Sequence, residues 1–460
     1  MGRRPRAPLG PVDVKTNLAD MTTFDTLRFH VISLVAGGFD HAFWTVDVLR
    51  ACQVQPAIWH ASLALAALHQ AQRHKGAETY RKMRHEKLSM THSTAAIQHV
   101  IALTRQKQHS RAERETLLLA SLLLTALSTM QADLLQALMH ASNCIQLFHQ
   151  WRLWEQHRSS TTCPGSILNS NSIGAIIAHF ELQLLSRLKH IAVPPWGVPG
   201  CPPRCSYIPF SSATDAYHEF QPLFTSLVGL WQYAGMGLKA QPLPEPDMRL
   251  PYLVEFQRWK VKFDALRVSR NCRPADQESM MTLYFHWNFM HVGLRANLSV
   301  GELAFDEFLP VFKDLVIEAS EILQVLRNHI DADTDARPAF SFTMSVVEGL
   351  FWAGHGCRDP VTRRDILHLI KVWPRREGIW DNALMAAMLE TSIGLEENAW
   401  RAASRDPLSS CGCVAGIFIC NLHRINNQVV EFLPDGRAKV SFETVGDRQG
   451  NKPGYVAVLP

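Results

Sequence analysis

Residues 115–129 of this chain leave almost no choice of surroundings. Leu117, Leu118, Leu119, Leu122, Leu123 and Leu124 crowd into that span, so a helix built here is apolar on nearly every face. Such a helix has to be enclosed by others. A chain of 460 residues that is 47% hydrophobic and 19% charged has the material to enclose it. The flanking segments carry the matching pattern. Pro56 suits a first helical turn, and Ile58, Ala61, Leu65, Leu68 and Ala71 follow at three- and four-residue steps. Residues 133–153 present Leu134, Leu138, Ala141, Ile145 and Phe148 on one stripe. Further helices are predicted near 78–103, 173–188, 214–233, 252–268, 276–298, 305–329, 341–350, 361–373 and 380–393. Residues 159–172, rich in Ser, Thr and Asn, read as a loop, as do the proline-broken stretches 194–212 and 241–251.

The pattern changes near the end. Val430 and Phe432 alternate before Pro434-Asp435-Gly436, and Ala438, Val440 and Phe442 alternate after it, which predicts a hairpin. A lone hairpin is marginal in water, so this one must pack on helices. The fold class expected is all-α, an array of packed antiparallel helices with a small C-terminal β-hairpin. Three segments follow: a flexible basic tail over 1–22, a helical domain over 23–405 and a hairpin segment over 406–460.

Composition excludes several functions. Lys and Arg number 46 against 42 Asp and Glu, a net charge of +4, an excess too small over this length to imply nucleic-acid binding. No apolar run reaches the roughly 20 residues that span a bilayer. The basic start, Arg3-Arg4-Pro5-Arg6, is not followed by an apolar stretch, so a secretory signal is not expected, and Arg6 stands where a myristoylation motif needs Ser or Thr. The ten cysteines lack a framework spacing and read as reduced and mostly buried.

Candidate chemistry is sparse. Gly235-Met236-Gly237-Leu238-Lys239-Ala240 has the letters of a dinucleotide fingerprint, but a helical pattern precedes it and prolines follow, so the strand and helix it requires are missing. Cys411, Cys413, Cys420 and His423 are zinc-ligand types; the narrow Cys-x-Cys bite and the apolar run 414–419 read instead as buried strand or helix cysteines. Cys201 and Cys205 lack a second pair. His85, His92 and His99, seven apart, join Arg81, Lys82, Arg84 and Lys87 in a basic helix face expected to be solvated. Asp331, Asp333 and Asp335 read as an inter-helix loop; the sixth and twelfth positions of a calcium loop are wrong. No His-Glu-x-x-His, phosphate-binding loop or Gly-x-Ser-x-Gly occurs. No catalytic residue, cofactor or metal is therefore assigned.

Three stretches, in order, point to one family. Phe39-Asp40-His41-Ala42-Phe43-Trp44 precedes Gln55-Pro56-Ala57-Ile58-Trp59-His60-Ala61 and Leu65-Ala66-Ala67-Leu68-His69; the Leu-rich helix at 117–127 precedes 137–151; and Cys357-Arg358-Asp359-Pro360 with Arg363-Arg364 precedes Pro374-Arg375-Arg376-Glu377-Gly378-Ile379-Trp380-Asp381. Together they resemble the helical regulatory domain of fungal zinc-cluster transcription factors. Members of that family usually begin with six closely spaced cysteines that hold two zinc ions and present a helix to the major groove. Here the first cysteine is Cys52, inside the helical pattern, and no six-cysteine run follows.

The resemblance implies a nuclear regulator of transcription, acting with other regulators or the transcription machinery, open to a small-molecule effector, without direct sequence-specific DNA binding or membrane association. Control of a biosynthetic gene cluster in secondary metabolism is a family habit. In the third stretch Asp359 reads as a helix N-cap, and Arg358, Asp359, Arg375, Arg376, Glu377 and Asp381 are the candidate structural or partner network at a helix junction. Two alternatives stand: a truncated factor whose zinc cluster lies in an upstream exon, and a helical enzyme of a fungal biosynthetic pathway, which would show polar groups converging near 331–335 and 286–291.

Overall fold

A computed structural model describes residues 11, 14–73, 79–153, 165–187, 201–236, 246–269, 276–329, 339–373, 375–403, 411–414 and 416–460. The protein is all-α with a small antiparallel sheet near its C-terminal end. Its residues form two compact units, 1–180 with 339–343, and 181–338 with 344–460. The basic start at 3–6, the aspartates at 331, 333 and 335, and positions 237–240 of the fingerprint-like stretch lie outside the described residues.

The first unit contains α1 Leu18–Thr26, α2 Ile32–Ala36, α3 Leu49–Val54, α4 Pro56–Arg73, α5 Thr79–Thr104, α6 Arg111–Met130 and α7 Leu134–Gln150. Helix begins sooner than the sequence pattern suggested. Asn17 and Asp20 form a capping box that satisfies two free amides at the start of α1. A second box, Ser110 with Glu113, starts α6. As the leucine run required, Leu117 to Leu119 and Leu122 to Leu124 are all buried. Helix α6 packs on α4 and α7, and α4 also packs on α5. On α4, Ala57, Ala61, Ala64, Ala66 and Ala67 are buried, and such small residues let a neighbouring backbone approach closely. Each fully buried leucine contributes roughly 1.5–3 kcal/mol. Glu115 opens the same run but is only 3% exposed. Its carboxylate accepts the Ile167 and Leu168 amides at 2.7 and 3.1 Å and the Arg111 Nε at 2.9 Å, so it holds the 166–168 turn.

The basic histidine face on α5 needs correction. Arg81, Lys82, Arg84 and Lys87 are exposed, but His92 is buried, with Nδ1 2.9 Å from His60 Nδ1 and Nε2 3.2 Å from Asp20 Oδ1. The seven-residue spacing that aligned the histidines also aligned them with α4, the helix α5 packs against.

Helix α8, Ser170–Arg187, runs from the first unit's residues into the second's, and β1, Ala339–Ser341, belongs to the first. The second unit adds α9 Ala213–Met236, α10 Pro246–Arg267, α11 Gln277–Arg295, a 3-10 segment Leu298–Phe308, α12 Leu309–His329, α13 Val347–Gly356, α14 Pro360–Val372, β2 Arg375–Glu377 and α15 Asn382–Ala403. It ends with β3 Ile425–Phe432, β4 Ala438–Thr444, α16 Val445–Gln449 and β5 Tyr455–Leu459. Pro222 and Pro251 lie inside α9 and α10. The helix expected over 341–350 starts only at Val347. Ser341 Oγ accepts the Thr343 amide and Ser345 Oγ the Val347 amide, local bonds that compete with the helical ladder. The aromatic centre of this unit stacks Trp259 on Phe263 at 4.6 Å, with the indole N–H donating to Ala216 O at 2.8 Å.

The hairpin is the first pair of a sheet ordered β3-β4-β5, with Val430 opposite Val440 and Phe432 opposite Ala438. Val430, Phe432, Ala438, Val440 and Phe442 are buried, as alternation demands. Gly436, at φ 83°, takes the left-handed position in the turn. The third strand carried no turn signal of the hairpin type, because α16 connects it.

Candidate functional site

Buried charge in the second unit concentrates where α13, α14, α15 and the start of β3 meet. The Arg358 side chain, 4% exposed, reaches Glu396 at 3.0 Å and Glu302 at 3.3 Å. It also donates to the carbonyls of Gly356 and Ile425 at 2.8 and 3.2 Å. Arg363, wholly buried, lies 2.7 Å from the other Glu396 oxygen and donates Nε–H to Gly354 O at 3.0 Å. Glu396 accepts the Ile425 amide at 2.7 Å. Burial alone would raise the Glu396 pKa, but Arg358, Arg363 and the Ile425 amide outweigh it and hold the group down to about 2. Glu302 goes the other way: burial raises it more than Arg358 lowers it. The planar guanidinium fork lets each arginine serve several acceptors at once, which lysine could not do here.

Arg424 extends this junction. It pairs with both oxygens of Asp306 at 2.6 and 2.7 Å and donates to Glu302 O at 2.9 Å and Ile419 O at 2.8 Å. Asn421 accepts the Glu302 amide at 3.1 Å beside Gly301, whose φ of 66° and contact with the Asn421 side chain leave no room for a Cβ. Side-chain bonds thus pin the segment 419–424 to the 3-10 segment.

That pinned segment carries Cys420 and His423 to Cys411 and Cys413. All four ligand atoms lie within 4.8 Å of one another. The Sγ atoms of Cys411, Cys413 and Cys420 stand 3.4, 3.3 and 3.3 Å from His423 Nδ1. The apolar run between them is not a buried strand. Val414 and Phe418 exchange backbone bonds at 2.8 and 2.9 Å around Gly416, at φ 66°, which folds the run into a tight turn. The reading of these cysteines as buried strand or helix residues is therefore corrected: all are half-buried and face one point. The Cys-x-Cys bite suffices because the chain reverses at 416 and supplies the remaining ligands from the other arm. Cys201 is exposed and Cys205 is buried, bonded to Glu255.

The six residues of the predicted network do not share one site. Asp359 caps α14, accepting the Thr362 amide at 2.9 Å, and its bonds to Thr362 lower its pKa. Arg376 pairs with Asp381 at 2.7 Å at the α14–α15 corner. Glu377 is buried and accepts the Ser345 amide at 3.1 Å, while its backbone closes on Trp380 around Gly378. The backbone of Arg375 lies in β2; its side chain is outside the described residues. Only Arg358 reaches the buried-charge junction. Its partners Glu302 and Glu396, and the adjoining Arg424–Asp306 pair, carried no assignment from the sequence. One signal existed for Glu396: it continues the apolar stripe of Leu389 and Ile393 at helical spacing, where a solvated acid has no place.

A second feature is a groove of about 840 Å³ between α11 and α12, lined by Met280, Tyr284, His291, Arg295, Ile317 and Glu318 among others. Burial pushes Glu318 up to about 7, against the Asn288 amide that donates to it at 2.6 Å. Of the 286–291 stretch, His291 lines the groove, while His286 is buried within bonding distance of Ser345 O and does not. No helix among the described residues is long and apolar enough to cross a membrane. Compared with known protein families, curated proteins and solved structures, the chain matches none of them.

Proposed function

We propose that this chain is a transcriptional regulator related to the helical regulatory domain of fungal zinc-cluster factors, acting in the nucleus through protein contacts. The reading rests on the third sequence stretch, part of which forms the α13–α14–α15 corner where Arg358 and Arg363 are buried, with Trp373 and Trp380 buried further along it. The helical array and the C-terminal sheet are the fold class expected from the sequence pattern. The groove beside Glu318 is the place for a small-molecule effector, since it is concave, partly apolar and carries a carboxyl group whose pKa burial raises to about 7. Binding there would bias whichever surface the helices present to a partner.

A tagged chain, crosslinked to chromatin in its native cell, is expected to enrich a defined set of promoters. The purified chain alone is expected to leave those same DNA fragments unbound until nuclear extract is added. Absence from chromatin would remove the regulatory reading, and specific binding by the chain alone would replace co-regulation with direct DNA recognition.

A further inference from the structure

We propose that Cys411, Cys413, Cys420 and His423 bind one Zn²⁺ in a closed, four-ligand structural site. A tetrahedral zinc ion holds thiolate sulfur at about 2.3 Å and imidazole nitrogen at about 2.0–2.1 Å, which sets sulfur and nitrogen roughly 3.5 Å apart. The three sulfurs stand 3.3 to 3.4 Å from His423 Nδ1. Hydrogen bonding does not explain that arrangement. A ring nitrogen either donates one proton or accepts at one lone pair, so it cannot satisfy three thiols at once. Three sulfurs converging on a single nitrogen describe the corners of a coordination sphere.

Two further observations agree. The Cys413 amide donates to Cys411 Sγ at 3.4 Å and the Cys420 amide to Cys413 Sγ at 3.1 Å, contacts that stabilise thiolate charge and aim the ligands. The turn also lacks a core of its own: Val414 is 50% exposed, Ile417 79%, Phe418 38% and Leu422 42%. Among the described residues, the arm bearing Cys411 and Cys413 meets the arm bearing Cys420 and His423 through the Val414–Phe418 backbone bonds and the Cys420 amide, with the apolar side chains of the turn left exposed. A metal held by both arms would strengthen that connection, as in small domains whose metal-binding energy is their folding energy. Arg424, next to His423, anchors one arm to Asp306 through a pair that uses none of the four ligand atoms. With four protein ligands no coordination position is left open, which makes the ion structural rather than catalytic. Its effect is to fix an exposed apolar tip, Ile417 and Phe418, beside the Arg358 junction.

The test uses the full chain, produced with zinc under reducing conditions. Elemental analysis is expected to find one zinc per chain, and cobalt substitution to give the intense visible bands of a tetrahedral thiolate site. Alkylation mapped by mass spectrometry is expected to spare Cys411, Cys413 and Cys420 while zinc is bound and to label all three after chelation. Exposed Cys201 is labelled in both states and serves as the internal reference. The double variant Cys413→Ser/Cys420→Ser loses the metal, whereas His423→Cys keeps it, which separates lost ligation from lost folding. Substoichiometric zinc, a disulfide among the three cysteines in the reduced preparation, or zinc retained by the double variant each overturns the site. Labelling that ignores chelation overturns it as well, and requires no variant to fold.

Discussion

The two units keep polar groups in their interiors by different means. In the first, α6 is buried on nearly every side by leucines, and its one buried acid, Glu115, is spent on holding a turn. In the second, Arg358, Arg363 and Glu396 sit together out of water at a three-helix corner. An apolar core is specified by volume and tolerates repacking, because dispersion and burial have little directionality. A buried ion cluster tolerates no missing member, since each charge left behind is desolvated without a partner. At these two places, geometry is fixed by direction in the second unit and by shape in the first.

The largest effect belongs to Glu396. Glu396→Ala leaves Arg358 and Arg363 buried together and is expected to cost about 3–5 kcal/mol in urea unfolding. Replacing the three residues at once with Met, Met and Leu is expected to cost far less, and a triple variant as damaged as the single one would show that the charges contribute more than mutual compensation. Leu123→Ala in α6 is expected to cost about 2–5 kcal/mol, with loss of hydrogen-exchange protection confined to the first unit.

Acid acts on the first unit through buried histidines. Burial, then His92 and His99, holds His60 down to about 4, and burial, then Arg73 and His30, does the same to His69. Unfolded, both take protons near 6.5, so the unfolded chain binds more protons as the pH falls below that value. Their contribution is complete above 6.5 and is lost as pH drops toward 4, which exchange in α4 and α5 measured between pH 7 and 5 will show. His60→Gln is expected to flatten that dependence. The smallest effects belong to the predicted network's outer members: Asp359→Ala removes a helix cap at about 1 kcal/mol. Arg376→Ala breaks a partly exposed pair worth less than about 1 kcal/mol in the same unfolding measurement.

Much of the fold was legible because it is written locally. The leucine run, the proline before Ala57 and the alternation around Pro434 each select one backbone geometry, whatever surrounds them. Asp359 followed by Pro360 announces a helix start for the same reason. The helix boundary at Val347 was not legible, because Ser341 and Ser345 hydroxyls competed with a pattern that periodicity alone could see.

The sequence by itself determined the helical class, the buried leucine layer and the hairpin, since propensity and periodicity act over a few residues. Only tertiary structure decided which charges meet. Arg358 finds Glu396 across 38 positions, and Arg424 finds Asp306 across 118. It also decided that four zinc-ligand types at an unpromising spacing converge, because spacing along a chain predicts separation in space only until the chain turns back, as it does at Gly416.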